Sequence, residues 1–127
     1  MASGDGRRID FPLTTEQEKR MGCPRWLTAR QVLQLARARI ADPTSYCAEH
    51  EAENERGPTH PRGQGRFRPV RWSAAGAVLE EAGAEVAVRQ EVANEVIALY
   101  GAAVEHLGPV SHAEALATLD RAIARAT

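Results

Sequence analysis

Aromatic side chains are scarce in this sequence: Phe, Trp and Tyr number two each and make up 5% of the chain. Cysteine is as rare, with only Cys23 and Cys47, too few for the disulfide framework of a small secreted scaffold. Lysine is almost missing, since Lys19 stands alone beside 15 arginines. An excess of either charge is missing too: 16 basic against 17 acidic residues give a net charge of −1. That balance excludes a uniformly basic nucleic-acid binder and an acidic disordered tail. No apolar run approaches the ~18 residues of a membrane span. Behind Arg7 and Arg8 there is no apolar stretch of the kind a secretory signal needs. A soluble, cytoplasmic protein with reduced thiols and no membrane contact is expected.

What is present points to helices. The chain has 127 residues, the length of a single domain. A chain of this size buries about two-thirds of the surface it exposes when unfolded, so a core can form without metals or disulfides. Alanine occurs 23 times; it has the highest helix propensity and lets helices approach closely. An Ala- and Arg-rich composition also follows from a GC-rich genome, so periodicity has to decide.

Residues 1–27 read as an N-terminal arm with a short helix, in which Thr15 and Glu18 have capping-box spacing. A single helical domain spans 28–126. Its first helix, about 29–41, opens on the capping box Thr28/Gln31, buries Val32, Leu33, Ala36 and Ile40, and stops before Asp42-Pro43. A second runs from Ser73 to about Ala82 with Gly83 at its end; Gly76 inside it implies a close backbone crossing. A third, about 84–106, carries Val88, Val92, Val96, Leu99, Tyr100, Ala103 and Leu107 at near-helical spacing, with Gly101 as a break point. The last opens on Ser111/Glu114 and buries Leu116, Leu119 and Ile123. No segment alternates convincingly with period two, so the expected fold is all-α: a compact bundle of about four main helices, with a long charged loop, 48–69, between the first helix and the second. Glu49, Glu51, Glu53 and Glu55 make that loop acidic at first, and Arg62, Arg66, Arg68 and Arg71 make its second half basic. A structureless stretch of some 20 residues is uncommon in a compact domain and tends to be functional or disordered.

Three stretches carry a family resemblance: Ile40-Ala41-Asp42-Pro43, Val70-Arg71-Trp72-Ser73-Ala74-Ala75-Gly76-Ala77-Val78, and Ser111-His112-Ala113-Glu114-Ala115-Leu116 with Leu119-Asp120-Arg121-Ala122-Ile123. In that order they resemble a short helical domain of actinobacterial and phage proteins, domain of unknown function family 6197. Ser73 stands where the family's motif has cysteine, and Tyr100 and Gly101 stand in place of its Trp-Asn-Asp-like segment. The resemblance implies a small helical domain over 28–126 and no activity.

Three constellations could carry chemistry. Cys47, His50 and His60, with Cys23 as a fourth donor, have the residue types of a zinc site; structural zinc sites normally show two tight ligand pairs, and only Cys47-x-x-His50 is one. Beyond zinc no cofactor is expected. The alternating loop glutamates lack the Asp/Asn/Gly pattern of a calcium loop. Arg62, Arg66, Phe67, Arg68 and Arg71 set an aromatic among arginines and glycines, which can follow phosphates while the ring stacks on a base. The plain alternative is a loop closed by its own salt bridges, with Phe67 packed on Trp72 or the bundle. Neither cysteine is paired by spacing with a histidine base, so no catalytic set emerges. The expectation is a non-enzymatic interaction module holding a protein partner through this loop. Nucleic-acid contact through the same arginines and a metal-dependent enzyme at Cys47, His50 and His60 are the alternatives. Self-association through the long Ala- and Val-rich helix is open as well.

Overall fold

A computed structural model describes residues 26–126. Helix α1 spans Ala29–Arg39, and three short strands follow: β1 Ala52–Asn54, β2 Gly57–Thr59 and β3 Arg71–Trp72. Helices α2 Ala74–Ala82, α3 Gln90–Ala103 and α4 His112–Arg125 complete the domain. The four expected helices are there, but the all-α expectation is corrected: the fold is mixed, four helices with a three-stranded antiparallel sheet ordered β2-β1-β3. The expected loop 48–69 contains two of the strands, paired Ala52 with Thr59, Glu53 with Pro58 and Asn54 with Gly57. Ala52 and Glu53 pair on the other side with Trp72 and Arg71.

Side-chain chemistry explains where the helices begin. Thr28 accepts the Gln31 N–H while Gln31 returns a bond to the Thr28 N–H, a complete capping box at α1. Ser73 and Ser111 cap α2 and α4 through the N–H groups of Gly76 and Glu114. The expected long third helix is shorter than its apolar spacing suggests. Residues Ala84–Val88 form a turn, because the Ala87 carbonyl is spent on the N–H of Leu27 (2.9 Å) rather than on a helical partner. Val86, outside the helix, is 82% exposed. Helix α3 runs through Gly101 without a break. It ends at Ala103, where the guanidinium groups of Arg125 and Arg121 take the carbonyls of Ala102 and Ala103. Leu107 lies beyond that end and is 95% exposed, so it does not belong to the core stripe.

The core joins all four helices. Val32, Leu33, Ala36 and Ile40 of the α1 region meet Ala77 and Val78 of α2, Val96 of α3 and Leu119 of α4, all essentially inaccessible to water. The sheet is fastened to this bundle at two places. At Gly76 the backbone of α2 crosses Glu51 so closely that an added Cβ would lie 1.6 Å from the Glu51 carbonyl oxygen, the crossing that its glycine implies. At Trp72 the Arg39 guanidinium lies over the indole ring, 4.6 Å from its centroid, and Arg39 also pairs with Glu81. The capping spacing of Thr15 and Glu18 lies outside the described residues.

Candidate functional site: the hairpin and arginine loop

The chain between β2 and β3 has no regular strand or α-helix, yet it is held at both ends. Asn54 does most of this work at one end. It is 7% exposed, and its Nδ2 donates to the carbonyls of Arg66 (3.0 Å) and Arg68 (2.9 Å). Its Oδ1 accepts the N–H of Arg56 at 2.8 Å, an Asx turn that closes the β1–β2 hairpin. Backbone bonds add to the hold, from Val70 N–H to Glu53, Arg68 N–H to Gly65 and Phe67 N–H to Gln64. Thr59 Oγ1 donates to the Phe67 carbonyl.

Glu80 of α2 holds the other end. Its Oε1 accepts the Arg62 N–H at 2.8 Å and the Trp72 indole N–H at 3.0 Å, and the Arg62 Nη1 donates to the Glu80 carbonyl at 2.9 Å. Arg62 takes a left-handed backbone conformation, φ +65°. That costs a non-glycine residue about 1–2 kcal/mol, and persists only where the surroundings enforce it. Here the enforcing group is Glu80, one bond to the backbone and another from the side chain.

These anchors sort the arginines singled out by sequence. Arg62 is consumed by Glu80, and Arg71 by Glu53 (2.8 Å) and the Asn54 carbonyl. Of the four loop glutamates, Glu53 alone pairs with a loop arginine among the described residues, so one of the salt bridges of the plain alternative is present. Arg66 and Arg68 have exposed side chains and no ion pair among the described residues. Phe67 between them is 47% exposed. It does not pack on Trp72; Arg66 lies over its ring at 5.0 Å, and the His60 ring stands 6.2 Å away, tilted. Beside them is a groove of about 410 Å³ lined by Arg62, Gly63, Gln64, Gly65, Arg68 and Glu80.

The expected metal ligands are scattered. Cys47 is buried, and its Sγ donates to the His50 carbonyl at 3.2 Å while the His50 side chain is exposed. His60 stands beside Phe67, and Cys23 lies outside the described residues. Among the described residues the donor atoms of Cys47, His50 and His60 do not converge. Burial and the nearby Glu53 carboxylate push the Cys47 thiol up to about 11, away from the thiolate that both metal binding and nucleophilic attack require.

A different trio does converge: donor atoms of Glu105, His106 and Glu114 lie within 4.8 Å of one another. Arg121 already serves its carboxylates, at 2.9 Å from Glu114 and 3.4 Å from Glu105. The Arg121 hydrogen bond holds the Glu114 carboxyl below its ordinary value. The cluster is thus an ion-paired joint between the end of α3 and the start of α4.

Two residues that organise the site, Asn54 and Glu80, did not stand out in the sequence. Asn54 had a local signal, because Asn54-Glu55-Arg56-Gly57 has asparagine first and glycine fourth, a turn signature. Glu80 had none; it is one of two adjacent glutamates on a helix, and only the fold brings it to Arg62 and Trp72. No family model, curated protein or solved structure matches the chain. No helix among the described residues is long and apolar enough to cross a membrane.

Proposed function

We propose that this domain is a small non-enzymatic interaction module that holds a protein partner on the segment 48–69. One observation carries the reading: a long loop pinned by Asn54 and Glu80 presents Arg66, Phe67 and Arg68 outward, with both guanidinium groups unspent on carboxylates among the described residues. Holding a loop in advance lowers the ordering cost of binding. An arginine beside an exposed aromatic ring is the kind of pair that dominates protein interfaces. The Cys47 thiol, buried and kept protonated, argues against a nucleophile. The nucleic-acid reading uses the same Phe67, but two of its four arginines, Arg62 and Arg71, are committed to Glu80 and Glu53.

The test is a photo-cross-linking amino acid in place of Gln64, an exposed residue that lines the groove. In cells that naturally make this protein, one recurring protein should be captured, and lost when Arg66 and Arg68 are both changed to Gln. Capture that is indifferent to those changes, or no capture, contradicts the proposal.

A further inference from the structure

We infer that the partner engages this loop through an extended acidic segment, setting a carboxylate in the groove beside Arg68 and an apolar side chain on Phe67. The inference rests on the reading of segment 48–69 as the partner-holding surface and names the chemistry that the surface selects.

The groove comes first. Its lining is polar, with two glycines and no large apolar side chain, so it does not suit a greasy small molecule. At Gly63 the loop's own backbone already fills the space of a side chain, the Phe67 carbonyl oxygen lying 2.2 Å from where a Cβ would be, whereas Gly65 leaves room for another backbone to approach, with no atom within 4 Å of where its side chain would start. Its charges are unequal. Glu80 is compensated by Arg62 and by the Trp72 indole N–H, which leaves Arg68 as the charge of the lining without an ion pair among the described residues. Arginine meets a carboxylate through two parallel hydrogen bonds, and that geometry fixes the orientation of the incoming group. Phe67 stands next to it, half exposed, with its neighbours Arg66 and His60 leaving part of the ring open.

A polynucleotide fits less well. It carries a charge on every unit, whereas the segment holds exposed Glu49, Glu51 and Glu55 close in sequence to its exposed arginines. Arg56, Arg66 and Arg68 are the segment's arginines without an ion pair among the described residues. Three neutralised phosphates would give a salt slope of only about −2 on a single strand and about −3 on a duplex, the signature of weak nonspecific contact. A peptide can place one or two carboxylates where Arg66 and Arg68 are and leave apolar side chains elsewhere.

Fluorescence anisotropy on the full chain tests this with two labelled probes, a short peptide alternating glutamate and tryptophan, and an oligothymidylate of matched length. The peptide should bind, Arg68→Gln should weaken it about tenfold, and Arg68→Lys should restore part of the loss. Phe67→Ala should weaken it as well. The Arg68 side chain makes no hydrogen bond among the described residues, and circular dichroism of each variant checks that the fold is kept. Tighter binding of the oligothymidylate, or peptide binding untouched by Arg68→Gln and Phe67→Ala, overturns the inference. If neither probe binds while the Gln64 cross-link persists, the acidic-segment inference falls and the interaction-module reading stands. If the cross-link fails too, both fall.

Discussion

Replacing Asn54 with Asp tests the account of the loop at the residue on which it turns. The two side chains have nearly the same shape, so cavity effects drop out and only hydrogen-bond polarity changes. The Asn54 Nδ2 donates to two carbonyls, at 3.0 Å and 2.9 Å, and its Oδ1 accepts the Arg56 N–H at 2.8 Å. An aspartate keeps the last bond and loses both others. It also sets a charged oxygen against two carbonyl oxygens at a site that is 7% exposed. Each lost hydrogen bond costs about 1 kcal/mol, and the unmatched buried charge adds to this. The expected destabilisation is about 3 kcal/mol, of the same size as for Asn54→Ala, which loses all three bonds but buries no charge. Urea unfolding of wild type and both variants, followed by tryptophan emission and by far-ultraviolet dichroism, gives the numbers. If Asn54→Asp is as stable as wild type, the side chain only caps the hairpin turn, and the loop is not held as argued.

Other outcomes follow from single contacts. Gly76→Ala should prevent normal folding or cost at least ~3 kcal/mol, because its Cβ would overlap the Glu51 carbonyl oxygen at 1.6 Å and neither backbone can yield cheaply; a soluble variant with unchanged urea midpoint would refute the close crossing. With Cys23 changed to Ser, alkylation of Cys47 near pH 8 should run about 100-fold slower than in the denatured chain, since the folded thiol titrates near 11 rather than 9.0. Equal rates would show an accessible thiolate. Because the Glu114 carboxyl is held below its ordinary value, its ion pair with Arg121 contributes fully above the unfolded glutamate pKa and is lost as pH falls through the folded one. The stability gap between wild type and Glu114→Gln should therefore close on acidification, and a gap that widens would reverse the sign of the argument.

The helices were largely legible because their signals are local. Thr28 and Ser111 each announce an N-terminus through a residue three positions on, Gln31 and Glu114, and Ser73 is itself a favoured capping residue, while Val32, Leu33, Ala36 and Ile40 mark one face at helical spacing. The sheet was not legible. Glu51, Ala52, Glu53, Asn54 and Glu55 do alternate, with Ala52 and Asn54 buried and the glutamates outward or half-buried. The inward residues, however, are a methyl group and an amide rather than large apolar side chains, so the pattern read as an acidic run. Asn54 is inward because it satisfies the loop's carbonyls, a reason that periodicity cannot show. The start of α3 is not legible for a similar cause: only the fold shows that Leu27 takes the Ala87 carbonyl. Of the loop arginines, spacing identified all four as a group, whereas the split into Arg62 and Arg71, committed to Glu80 and Glu53, and Arg66 and Arg68, without an ion pair among the described residues, depends on pairings that only the fold makes.

The central claim is that segment 48–69 is held in place before any partner arrives, and amide hydrogen exchange of the free protein measures it directly. The N–H groups of Phe67, Arg68 and Val70, bonded to Gln64, Gly65 and Glu53, should exchange well below the rate of an unstructured chain, and Asn54→Asp should remove that protection while α1 and α4 keep theirs. Exchange of these three amides at the unstructured rate in the wild-type protein would contradict the account.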